Sequence, residues 1–175
     1  MRHRASLICA LALATSGPAP AAGPHQHGTA TLDIAVDVGR VSIVFDTPLA
    51  DLLGFERAPR TDAERRRVEA VVATLRDGAR LFRIDPAAAC TLARVELDSA
   101  VLGLGDAGAP ARDGHADLQG RYDFDCRQGG RATYVEVGLF EAAAGLQRLE
   151  LQLATPRGQM KATLVRPASR VALVR

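Results

Sequence analysis

His115-Ala-Asp-Leu-Gln-Gly-Arg-Tyr-Asp-Phe-Asp-Cys126 carries the strictest alternation in the chain. Ala116, Leu118, Tyr122, Phe124 and Cys126 fall on one side of an extended backbone, and His115, Asp117, Gln119, Arg121, Asp123 and Asp125 on the other. A period of two with one apolar face is the pattern of a half-buried strand, whose apolar side needs a second layer to pack against. In this register Cys126 points into the core. His115 and Asp117 project together on the wet face, beside a Gly-, Ala-, Pro- and Asp-rich stretch at 103–114 that reads as an exposed loop.

The rest of the sequence extends this reading in both directions. Thr31 to Asp37 alternates, with Leu32, Ile34 and Val36 on one face. Gly39 supplies a tight turn, and Val41 to Phe45 reads as the hairpin partner. Pro48-Leu-Ala-Asp-Leu-Leu-Gly54 reads as a short helical turn closed by glycine. Thr61 with Glu64 forms a capping box, and Val68, Val71, Val72 and Leu75 follow helical spacing, so one amphipathic helix runs from there to Gly78. Arg65, Arg66 and Arg67 lie mostly off that stripe, within helical reach of Asp62, Glu64 and Glu69, as an ion-paired solvated face. Further strands are expected at Leu81–Ile84, Cys90–Leu97, Tyr134–Val137, Leu146–Leu153 and Gln159–Val165, with a helical turn at Leu139–Ala144. The fold class is therefore α+β: a single domain, mainly antiparallel sheet, with one amphipathic helix and short helical turns.

The first residues read as a secretory leader. Arg2, His3 and Arg4 form the charged region, Leu7 to Ala14 the apolar region, and Ala19-Pro20-Ala21 a cleavage site. The division expected is a signal peptide at 1–21, with Cys9 discarded in it, a histidine-containing tail at 22–30 and the domain at 31–175. No later segment approaches the roughly 20 apolar residues of a membrane helix. Of the 22 Lys plus Arg, Arg2 and Arg4 leave with the leader, so the mature chain sets 20 cations against 20 acids. A formally neutral chain without Trp gives nucleic-acid binding nothing to rest on. Cys90 and Cys126 survive cleavage in a compartment that oxidises thiols, and the favoured reading is one disulfide between them. The competing reading, a thiolate metal site, usually needs closer spacing.

For chemistry, the mature chain keeps His25, His27 and His115. His25-Gln26-His27 sits between the leader and the first strand, where i, i+2 spacing lets two imidazoles face one ion. Amino-terminal copper or nickel binding through backbone amides is blocked, because Pro24 has no N–H to ionise. Side-chain coordination by imidazole and carboxylate remains. It suits Zn²⁺, with Cu²⁺ competing on affinity. The sequence holds no nucleophile elbow, no phosphate-binding glycine loop and no H-E-x-x-H, so no enzymatic activity is expected.

Several segments together resemble the ZrgA-like family of exported, zinc-regulated bacterial proteins. These are His25-Gln-His-Gly28, Pro48-Leu-Ala-Asp-Leu-Leu-Gly-Phe-Glu-Arg-Ala-Pro-Arg-Thr61, Cys90, His115-Ala-Asp-Leu118 and Gly138-Leu-Phe140. The resemblance implies periplasmic Zn²⁺ binding in support of zinc acquisition or buffering, alongside a zinc ABC importer or its binding protein. It also implies a ligand set of His25, His27 and His115, with Asp117 as a weaker oxygen ligand and Asp106 and Asp113 weaker still. Relatives carry longer histidine-rich tails, often a further His-Asp tract before His115, and commonly histidine in place of Arg57, so this chain holds fewer ions. The alternative is a metal-independent module whose sheet edge docks an envelope partner, the histidines being a remnant tail.

Overall fold

Strands with one apolar face are the main elements of the fold, and their pairing decides where the chemistry-bearing residues meet. The computed structural model describes residues 26–105 and 116–173. The expected leader, His25, Asp106, Asp113 and His115 lie outside the described residues. The first two strands, β1 (Thr29–Val36) and β2 (Arg40–Pro48), form the expected hairpin. A five-residue helix α1 (Leu49–Leu53) follows without a break and ends on Gly54 in a left-handed conformation at φ 82°. The capping box starts α2 (Asp62–Arg76), where Thr61 accepts from the Glu64 N–H and Glu64 reaches back to the Thr61 N–H.

Gly78 does not end that helix. Asp77 caps it, and Gly78 opens a further turn, α3 (Gly78–Leu81). A Cβ at Gly78 would stand 2.5 Å from Cδ1 of Tyr122, so the glycine answers to close packing and not to capping. The strand expected from Leu81 accordingly begins one residue later, as β3 (Phe82–Ile84). Then come β4 (Cys90–Asp98), β5 (Asp117–Cys126), β6 (Tyr134–Val137), α4 (Leu139–Ala142), β7 (Arg148–Thr155), β8 (Gly158–Val165) and β9 (Arg170–Ala172).

Six strands form one sheet in the order β4-β5-β2-β1-β7-β8, and three form a smaller one, β3-β6-β9. All pairs are antiparallel except β1 and β7, which run parallel from Thr29↔Arg148 to Ala35↔Ala154. Periodicity names the buried face of a strand but not its neighbour, so neither this pairing nor the small sheet follows from the pattern alone. The apolar faces converge on one core. Tyr122 is completely buried there, its ring edge-on to Phe82 and stacked with Phe45, and its hydroxyl donates to the Leu75 carbonyl at 2.8 Å. Burial pushes the Tyr122 phenol well above its ordinary range, so it stays a neutral donor tying β5 to α2. Val72 and Leu75 are the buried part of the helical stripe, with Val68 and Val71 packed at its margin.

The two edges of the large sheet differ. On β4 a bulge falls between Leu92 and Arg94, and the disulfide joins Cys90 to its register partner Cys126. On β8 only Leu164 is buried, and mid-strand stands Lys161, the one lysine of the sequence. Removing the disulfide releases a loop spanning 36 residues. Loop-closure entropy predicts that replacing Cys90 and Cys126 together by Ala lowers the unfolding free energy by about 4 kcal/mol. Urea denaturation of the mature protein checks this, and a loss below about 1 kcal/mol would mean that packing alone holds the β4 edge.

Candidate metal site

The turn Gln26–Thr29 brings the histidine tail onto the sheet. Thr29 N–H donates to the Gln26 carbonyl at 3.0 Å, and Gly28 between them takes φ 79°, a backbone region that L side chains rarely enter. Gly28 is held from both sides. Its carbonyl accepts from the N–H groups of Gln147 and Arg148, each at 2.9 Å, and its own N–H donates to both oxygens of Asp51, at 2.8 and 2.9 Å. Asp51 is a buried carboxylate on α1, flanked by the buried Leu49, Leu52 and Leu53. Gly145 makes room for it, since a Cβ there would stand 2.8 Å from the Asp51 Cα, and the Gly145 N–H donates to the Asp51 carbonyl.

Helix α1 also receives the other end of the expected site. The Leu49 N–H donates to the Ala116 carbonyl at 2.8 Å, and Ala116 follows His115 in the chain. Asp117 pairs with Pro48, the residue before α1; it is half-buried on the open side of the sheet, and its carbonyl accepts from Ser99 Oγ at 2.8 Å. The residues adjoining His27 and His115 therefore converge on one turn of helix. Gly28 and Ala116 immediately precede β1 and β5, strands separated only by β2 and so about 10 Å apart.

His27 itself is solvent-exposed, with Nδ1 3.6 Å from Oε1 of Glu56. Two ligand atoms about 2.0–2.1 Å from a tetrahedral Zn²⁺ stand roughly 3.3 Å apart, so this imidazole and carboxylate fit one ion after a small side-chain movement. Among the described residues no three His, Cys, Asp or Glu side chains come together as a metal-holding group. His27 and Glu56 offer two donor groups, fewer than the four ligands of a tetrahedral structural zinc site. Cys90 and Cys126 are removed from consideration by their disulfide. A cavity of about 380 Å³ on the open face is lined by Glu96, Leu97, Asp98, Gly105, Gln119 and Arg121, a mixed-charge wall without imidazole.

The segment carrying Glu56 is stiff. Arg57 grips Glu64 with both terminal nitrogens, at 3.0 and 2.7 Å, and its guanidinium lies over the Phe55 ring. Glu64 also accepts from the Arg60 and Thr61 N–H groups. The Arg57 hydrogen bonds, seconded by the Arg60 N–H, bring the Glu64 carboxyl down to about 2. Glu56 and Asp51 are the residues that sequence reasoning passed over. Both lie in the Pro48–Thr61 segment, and the available clue was an acid inside an otherwise apolar helical turn.

The fold is a disulfide-braced α+β domain with an imidazole and a carboxylate oxygen side by side near the α1 end of its large sheet. The family model described as ZrgA family zinc uptake protein matches residues 24–173, and the chain belongs to that family. No curated protein matches the chain in sequence. Among the described residues no helix is long and apolar enough to cross a membrane.

Because the folded-state pKa of Glu64 lies below its unfolded value near about 4.3, its contribution to stability is present above that value and is lost as pH falls toward about 2. Glu64→Gln is expected to lower the melting temperature at neutral pH, with the gap to wild type closing between about pH 5 and pH 2. Thermal scans across that range decide it; a gap independent of pH would assign the effect to the helix cap's shape and not to its charge.

Proposed function

We propose that this protein, exported to the periplasm by its 1–21 leader, binds Zn²⁺ at the α1 end of the large sheet and catalyses no reaction. His25, His27 and His115 are the imidazole ligands, Asp117 is a weaker oxygen ligand, and Glu56 is a carboxylate beside His27. The role is acquisition or buffering: the ion is held in the periplasm and passed to a zinc ABC importer or its binding protein. The observation that carries this reading is the convergence on α1, where Asp51 takes the N–H of the residue after His27 and Leu49 donates to the residue after His115. Segments entering at that spacing let imidazoles from both close around a common ion. Membership of a zinc uptake family supports zinc over other ions.

A metal-independent docking module is the second reading, and β8 is the observation that favours it. The Arg166 N–H bond to the Gln147 carbonyl sets the phase of the β7–β8 ladder, so the backbone groups of Gln159, Lys161 and Thr163 point away from β7 along an open edge. Zinc titration of the mature, tag-free protein separates the two. Replacing His25 and His27 together by Ala is expected to weaken Zn²⁺ binding by roughly a hundredfold, the loss of two ligands at well over 1 kcal/mol each. Unchanged affinity would sink the proposed site. Zinc-repressed expression beside a metal transporter supports the first reading, and an unrelated envelope operon the second.

A further inference from the structure

Two carboxylates of the described core, Asp51 and Asp85, are buried, and their partners differ in kind. Asp85 does ordinary structural work: it accepts from the Ala87 N–H and from both the N–H and the hydroxyl of Thr133, fastening the turn after β3 to the residue that precedes β6. Both Asp51 oxygens turn on a single donor, the Gly28 N–H. Burying a carboxylate carries a desolvation penalty that is offset when several donors meet it. One N–H is a thin return for a turn that a neutral oxygen could also fasten. What the charge adds is a strong, short hold on a single amide, and that amide follows directly on His27.

We propose that Asp51 is a positioning residue for zinc: it is not a ligand, but it fixes the backbone from which His27 projects and so sets the affinity of the site. This rests on the zinc reading given above. The hold has two sides, since Gly28 also accepts from Gln147 and Arg148, which locks the turn to the β1–β7 seam. With the backbone fixed, His27 Nδ1 faces Glu56 Oε1 at 3.6 Å. Without Asp51, the backbone about His27 must be ordered when the ion binds, and the ion's binding free energy is reduced by the entropy of that ordering.

The test is a double-mutant cycle on the mature, tag-free protein, with Zn²⁺ affinity read by competition against a chromophoric chelator. Asp51→Ala is expected to weaken Zn²⁺ binding roughly tenfold, the worth of ordering about one residue's backbone. Asp51→Asn, which keeps an oxygen for the Gly28 N–H, is expected to recover part of that loss and serves as the working variant if Asp51→Ala does not fold. In a His27→Ala background, substitution at Asp51 is expected to change nothing further. Equal losses in both backgrounds would overturn the proposal by assigning Asp51 a general structural role. A loss for His27→Ala with none for either Asp51 variant would overturn the positioning role and leave the zinc site standing. No loss for His27→Ala would overturn both.

Discussion

The geometry of the molecule depends on β2, which hydrogen-bonds to β1 on one side and to β5 on the other. Both neighbours run opposite to β2, so β1 and β5 start at the same end of the sheet, where β2 finishes. At that end Pro48 turns the chain directly into α1, which lies beside both starts. Gly28 and Ala116, far apart in sequence, are thereby delivered to one place. A slip of one residue in either ladder would send Leu32, Ile43 or Tyr122 to solvent, so burial of the core enforces the register that assembles the site.

Much of this was legible in the sequence because the signals were local. Alternation from Ala116 to Cys126 gave the strand, its buried face and the inward cysteine, and Thr61 with Glu64 gave the helix start. Partner choice was not legible. That β1 lies parallel to β7, and that β3, β6 and β9 leave to form their own sheet, depends on contacts between distant residues that no local period encodes. The candidate site divided along the same line. His27 and Asp117 stood out by residue type, whereas Asp51 and Glu56 matter through what the fold sets beside them, a glycine amide and an imidazole.

Arg57 illustrates how residue type and context combine. In the sequence it marks a departure from relatives that commonly hold histidine there. In the fold it is fully engaged, bonded in two places to Glu64 and stacked on Phe55. The position acts as a brace for the segment that presents Glu56. Stiffness of this kind favours binding at Glu56, because a donor held in place loses less freedom when a ligand arrives.

The placement of Cys90 and Cys126 has a bearing on how such a protein matures. Cys126 is the last residue of β5 and Asp117 the first, so about 30 Å of extended strand separates the sulfurs from the α1 end. Free thiolates are soft metal ligands, and the disulfide takes both out of that role. Once β4 and β5 have paired, those thiols face each other in register at the far end of the sheet. The disulfide therefore closes at the end of the sheet opposite α1, clear of His27 and Glu56. Strand length thus keeps the sulfur pair out of reach of the end of the sheet proposed to hold zinc.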